Sequence, residues 1–250
     1  MERHPAIPQP LLQRRVPDPA PLRACLLSGG ASRRMGADKA LLPHPEGGSW
    51  LERTLRLLAQ LELPISLLSR HAPHLALAQA LAEAEALPQL EAIAEPPPWE
   101  GPLLALHRLM ERHPEQRLLL CPVDMPDLSL TALRTLLTAA AASPNRLHLA
   151  HDGERLQPLL GLYPSSAPIR THLAAAVERG ERRLQSWLAD QPHRAVLLDP
   201  HTIRNVNRPD ADQQGASPCA STMRSQRSSS ASTSASNSCR GAGSGKGPCS

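Results

Sequence analysis

Residues 26–42 read LLSGGASRRMGADKALL. An apolar run ends at Ser28, and two glycines follow at once. Three cations, Arg33, Arg34 and Lys39, lie within eleven residues of Ser28. A buried strand that runs straight into a glycine turn is how an open α/β sheet presents its carboxyl edge, where ligands bind. Glycines let the backbone approach a ligand or take positive φ. Successive N–H groups in such a turn form an anion-binding concavity, and the cations add full charges. The stretch is neither a Walker A loop nor GxGxxG, so it predicts a phosphate-binding turn of another kind.

Working outward, the pattern alternates. Apolar runs at 23–28, 64–69, 90–94 and 117–121 read as buried strands. Helical patterns fill 49–61, 71–86, 102–112 and 129–142 between and after them. In the first, Ser49 is placed as N-cap, Leu51, Leu55 and Leu58 recur at helical spacing, and Glu52 and Arg56 stand four apart. This alternation predicts a mostly parallel sheet covered on both faces. After Ala142 the rhythm changes. Segments 146–151 and 157–163 flank the turn-like DGER and predict an antiparallel hairpin. Helices at 166–179 and 181–190 and a strand at 194–199 follow.

Composition sets the boundaries. The chain has 250 residues, no Phe and one Tyr, so Leu, Ala and Val must build the core. Net charge is +4, of which the segment from Ala211 onward carries +3 (Arg224, Arg227, Arg240 and Lys246 against Asp212). The rest is near neutral, which argues against a nucleic-acid partner. No apolar run reaches membrane-spanning length. Cys25 and Cys121 sit in apolar runs and read as reduced core thiols, and no Cys/His spacing fits zinc. Residues 1–20 carry five prolines and read as a disordered leader. Twelve of the last forty residues are Ser and none is Leu, Ile or Val, so 213–250 read as a disordered tail. The folded domain is then 21–212. Deleting 213–250 is expected to leave the melting temperature almost unchanged; a large drop on thermal unfolding would show that the tail packs.

A second site is LLLCPVDMPDL, 118–128, where a strand ends and Asp124 stands between Pro122 and Pro126. A carboxylate at that edge suits Mg²⁺, which takes one or two carboxylates plus phosphate oxygens. The alternative is a turn aspartate, or Asp127 as a helix cap near Ser129. Trp187 reads as core and Trp99 as packing over a loop.

The first stretch resembles the LAGGxSxRMGxDK signature of the molybdenum cofactor guanylyltransferases. The resemblance continues through EGPLLAL (100–106), CPVDMPDL (121–128), HDGERLQPLLGLY (151–163), GERRLQSWL (180–188) and NVNRP (205–209), covering about 22–210. It implies one Rossmann-like, three-layer α/β domain with a mostly parallel sheet and a late antiparallel hairpin. It also implies an enzyme that uses GTP and Mg²⁺ to guanylylate the terminal phosphate of molybdenum-molybdopterin, releasing pyrophosphate. By position, Leu27, Ser28, Gly29 and Gly30 would meet the guanine nucleotide. Lys39 and Arg34 would meet its phosphates, Glu95 would contact the nucleotide, and Asp124 would ligate Mg²⁺. Arg182, Arg183, Asn205 and Asn207 would lie toward the pterin. His151 beside Asp152, in the turn-like block, reads as a pterin or structural contact rather than an acid–base pair.

Three positions depart from the family pattern. Ser28 replaces the usual Ala, Glu95 the usual Asp, and Leu67 a frequent Asn. The usual closing helix is interrupted after Asp210. Alternatives are a cytidylyl- or sugar-phosphate nucleotidyltransferase of the same fold, or a non-catalytic nucleotide- or cofactor-binding relative. The resemblance further implies a cytoplasmic monomer that meets cofactor-delivery proteins and neither nucleic acid nor membrane.

Overall fold

The computed structural model describes residues 20–30, 38–85, 87 and 89–206. The expected leader (apart from Ala20), Arg33, Arg34, Asn207, the segment after Asp210 and the Ser-rich tail lie outside the described residues.

Seven strands form one sheet: β1 Leu22–Leu27, β2 Ile65–Ser69, β3 Leu90–Ala94, β4 Arg117–Pro122, β5 Leu147–His151, β6 Leu156–Pro164 and β7 His193–Leu197. Their order is β3-β2-β1-β4-β6-β5-β7. Only β6 runs against its neighbours; the pairs β1–β2, β1–β4, β2–β3 and β5–β7 are parallel. The predicted hairpin is thus β5–β6. β7 returns parallel to β5 and closes that end of the order.

Among the described residues six helices cover the sheet: α1 Trp50–Ala59, α2 Ala72–Ala84, α3 Pro102–Arg112, α4 Leu130–Ala141, α5 Ala167–Glu178 and α6 Leu184–Ala189. Strand alternation sorts the core into two layers. In β4, Leu119 and Cys121 join Leu55 of α1, Ala78 of α2 and Leu133 of α4. Leu118 and Leu120 join Leu106 of α3, Leu173 of α5 and Trp187 of α6. Tyr163, the one tyrosine, is fully buried in that second layer. Cys25 and Cys121 are free and buried, on opposite sheet faces, and burial pushes both thiols up, Cys25 to about 12.

Local chemistry explains the boundaries. Ser49 caps α1 in a reciprocal box: its Oγ accepts from Glu52 N (3.2 Å), and Glu52 Oε2 accepts from Ser49 N (2.6 Å). Ser129, not Asp127, caps α4; its Oγ accepts from Ala132 N, while Asp127 faces Arg204 at 3.8 Å. The last helix starts at Leu184, three residues later than its pattern suggests. Gly180 sits at φ +87°, and the Glu181 carboxylate accepts the N–H groups of Arg182 and Arg183 at 2.8 and 2.7 Å, satisfying them outside the helix. In DGER, Asp152 Oδ1 likewise accepts from Glu154 N and Arg155 N (2.9 and 2.8 Å), a side chain standing in for a backbone turn.

The chain passes from β1 to β2 and β3 on one side, then returns to β4 on the other. That reversal puts a crevice at the carboxyl ends of β1 and β4.

Candidate active site

A cleft of about 470 Å³ opens there. β1 contributes Leu27–Gly30, β2 Leu68 and Arg70, the segment after β3 Glu95 and Trp99, and β4 Pro122–Asp124. A 3-10 turn, Lys39–Leu41, adds Lys39.

Lys39 and Asp124, far apart in sequence, are bridged by one residue, Val206. Lys39 Nζ donates to the Val206 carbonyl (3.1 Å), and Val206 N–H donates to the Asp124 carbonyl (3.0 Å). Burial pushes the Asp124 carboxyl above the ordinary carboxylate range; the Lys39 charge opposes the shift. A carboxylate so desolvated and so partly compensated favours a further cation. No cluster of three or more His, Cys, Asp or Glu suited to a metal occurs among the described residues. A partly buried carboxylate at the end of β4, in a cleft that Asp38 and Glu95 also line, fits Mg²⁺, which takes one or two carboxylates and completes its shell with water and phosphate, rather than an all-protein metal cage.

Glu95 forms the opposite wall. Its Oε1 accepts from Arg108 Nη1 at 2.8 Å. Its Oε2 lies 3.1 Å from where a Cβ on Gly29 would stand. A side chain at Gly29 would press on the Glu95 carboxylate. Neither Gly29 nor Gly30 has positive φ, so the expectation of left-handed backbone in this turn is corrected.

The sequence reading missed His74. This buried residue in the first turn of α2 lines the cleft. Its Nε2 meets Asp38 Oδ2 at 2.7 Å; its Nδ1 meets Ser28 Oγ at 2.9 Å, with Ser69 Oγ at 3.0 Å. Ser69 Oγ donates to the Ser28 carbonyl (2.5 Å). The same His74 Nδ1 also stands 3.0 Å from the Ser28 carbonyl oxygen. Asp38 Oδ1 accepts from Ala40 N (3.1 Å) and so caps the turn that carries Lys39. The unusual Ser28 thus has a structural partner. One signal was available: helices after parallel strands begin at the ligand edge, and His74 follows β2 by five residues. Leu67, where the family often has Asn, is fully buried in the core. Ser69 and Arg70 occupy the β2 exit instead.

Arg182 and Arg183 do not line this cleft. Arg182 Nε pairs with Glu100 Oε2 at 2.5 Å, and its Nη1 donates to the carbonyls of Val177 and Glu181. Its own carbonyl would stand 3.2 Å from a Cβ on Gly101, which is held at φ +103°. Arg182 therefore braces the entry to α3, while Arg183 is exposed. Asn205 Nδ2 donates to Gln157 Oε1 (3.1 Å), and Gln157 Nε2 donates to Asp152 Oδ2 (2.7 Å). The DGER…QP and NVN blocks so form one network one residue from Val206. His151 Nδ1 accepts from Gly153 N (2.9 Å), a structural contact within the turn. Arg34 and Asn207 lie outside the described residues.

The profile of the MobA-like NTP transferase domain matches residues 24–196, β1 through β7. The chain belongs to the MobA-like NTP transferase family. A probable molybdenum cofactor guanylyltransferase of Rhodopirellula baltica is 36% identical over 199 residues, covering 76% of this chain and 90% of the relative. One from Mycobacterium tuberculosis is 34% identical over 203 residues (77% and 92%). A molybdenum cofactor guanylyltransferase of a Shewanella species is 31% identical over 196 residues (76% and 93%). Among solved structures, molybdopterin-guanine dinucleotide biosynthesis protein A from Archaeoglobus fulgidus superposes with a TM-score of 0.55 at 17% identity, covering 77% of this chain and 95% of that one. A 4-diphosphocytidyl-2C-methyl-D-erythritol synthase from Anaerococcus prevotii gives 0.60 at 12% identity (76% and 92%), a likeness of fold alone. As a MobA-like NTP transferase the protein is an enzyme of the transferase class. Among the described residues no helix is long and apolar enough to cross a membrane.

Proposed function

We propose that the protein transfers GMP from GTP to the terminal phosphate of molybdenum-molybdopterin. The observation that carries this reading is that Lys39 and Asp124, joined through Val206, line the same β1/β4 crevice beside the Leu27–Gly30 backbone. An oxygen of the pterin's phosphate attacks the α-phosphorus of GTP. The bond from that phosphorus to the α,β-bridging oxygen breaks, and pyrophosphate leaves. Such transfer needs positioning and charge neutralisation more than covalent help. Lys39 supplies a fixed ammonium to the phosphates. Leu27, Ser28, Gly29 and Gly30 hold the nucleotide through the backbone, with Arg34 on its triphosphate. Glu95, pinned by Arg108, accepts from the N1–H and 2-amino group of guanine. Asp124 holds Mg²⁺, which when bound neutralises charge on the leaving pyrophosphate.

Toward the pterin, Asn205 and Asn207 stand near its phosphate. The cationic role of the GERR block rests with Arg183, since Arg182 is committed to Glu100. The domain is residues 21–212. The setting is the cytoplasm, and the enzyme acts as a monomer served by cofactor-delivery proteins.

The test is pyrophosphate release by the purified protein with Mg²⁺ and molybdenum cofactor, comparing GTP with CTP. Release with GTP is expected to exceed release with CTP at least tenfold, about 1.4 kcal/mol of discrimination. Equal or better turnover with CTP overturns the base assignment. A folded protein that binds GTP yet releases nothing is a carrier.

A further inference from the structure

The three tryptophans are not alike. Trp50 and Trp187 are 7% and 2% exposed; Trp99 is 50% exposed and lines the cleft. Its ring is fixed despite that exposure. The indole Nε1–H donates to the Glu95 carbonyl at 2.9 Å. The Arg70 guanidinium carbon lies 5.4 Å from the ring centroid, and Arg70 also lines the cleft. Three prolines, Pro96, Pro97 and Pro98, lead directly into Trp99 and restrict the loop that carries it. A large ring held rigid and half in water, at the mouth of a cleft, has paid its ordering cost before any ligand arrives.

Its place along the sheet says which part of a ligand it meets. In the order β3-β2-β1-β4, Asp124 follows β4 and Lys39 follows β1, whereas Glu95 and Trp99 follow β3. A nucleotide with its phosphates at Lys39 and Asp124, lying along Leu27–Gly30, directs its base toward the β3 side. There a carboxylate oxygen faces Gly29.

We propose that Trp99, with Arg70 over its ring, stacks on the guanine of bound GTP and sets the preference for a bicyclic base. This inference rests on the GTP reading above. The two selections divide. The indole reads size, because a purine covers more of it than a pyrimidine does. Glu95 reads the hydrogen-bonding edge, where guanine offers two adjacent donors. A pterin carries the same fused 2-amino-4-oxopyrimidine as guanine. The wall faces guanine because it adjoins Glu95 and Gly29, whereas Arg183 and Asn205 lie outside this cleft lining.

The test uses the full chain, with Trp99 as its one exposed tryptophan, in emission titrations paired with calorimetry. GTP and guanosine are expected to quench the emission; CTP and inorganic pyrophosphate at the same concentration are not. In Trp99→Phe the quenching disappears, which locates its source. Trp99→Ala is expected to raise KM for GTP about tenfold while kcat falls less than about threefold, since a stack serves ground and transition states alike. Trp99→Phe recovers part of that loss. GTP binding seen by calorimetry without an emission change, or an unchanged KM in Trp99→Ala, overturns the stacking and leaves the guanylyl reading standing. Quenching by molybdenum cofactor but not by guanosine overturns it in favour of the pterin. Absence of GTP binding by calorimetry overturns both.

Discussion

Asp124→Asn is expected to lower Mg²⁺-dependent transfer by about 10³-fold, because it removes the cleft carboxylate at the end of β4 whose charge Lys39 favours. The substitution keeps shape and size, so the fold should persist. Its effect on stability runs opposite to its effect on activity. Burial raises the Asp124 carboxyl in the folded chain, with Lys39 opposing. Below the ordinary carboxylate range the group is protonated in both folded and unfolded states, and it contributes no difference. As pH rises from that range through the raised folded value, the unfolded chain ionises first and the folded chain is left with a costly buried charge. Native stability is lost across that window. The Asn variant carries no such charge. It should melt at the native temperature in acid and at the same or a higher temperature at neutral pH. Thermal unfolding across pH, beside pyrophosphate release, checks both halves. Transfer within about threefold of native would remove Asp124 from the metal assignment.

How much of this was legible in the sequence depends on the range of the interaction that decides each feature. Capping is local, so Ser49, Glu52 and Arg56 announced α1 correctly. Strand alternation is local too, and all seven strands fall within two residues of their patterns. The start of α6 failed for a local reason that pattern does not encode: Glu181 takes the two N–H groups that would have opened the helix. Sheet order is not local. Nothing in 146–163 said that β6 would insert between β4 and β5, leaving β7 to run parallel at the edge.

The candidate site divides the same way. Glycines, Lys39 and Asp124 stand out because polar and flexible residues interrupt apolar runs there. His74 does not stand out, because its meaning lies in two partners, one on each side in sequence of residues 31–37. At β2, Leu67 points into the core, and the strand meets the cleft at Leu68 and, just beyond its end, Arg70. Arg182 was legible as a cation but not as a brace, since its partner Glu100 is 82 residues away.

His74→Leu should damage both stability and catalysis. Leucine fills the volume but offers no nitrogen, so Asp38 Oδ2 and the Ser28 hydroxyl lose their partner, while Ser69 keeps its bond to the Ser28 carbonyl. Asp38 is partly exposed, which moderates the cost. Loss of a bond to a charged group and of a buried hydroxyl's partner together costs roughly 2–3 kcal/mol. For a domain of this size that is a melting temperature lower by about 4–12 °C. Catalysis should suffer through geometry. His74 holds Asp38, Asp38 caps the 3-10 turn, and that turn aims Lys39 toward Val206 and the crevice. Without the ring, kcat/KM for GTP should fall about tenfold beyond any loss of folded protein. His74→Gln, whose amide can still donate toward Asp38, should recover part of both. A double-mutant cycle with Asp38→Asn separates positioning from bulk destabilisation. If the imidazole acts through Asp38, the second substitution costs little once the first is made, and the coupling is about 1 kcal/mol or more. Strictly additive losses in kcat/KM would show that His74 supports the fold alone and that Lys39 is aimed by other contacts.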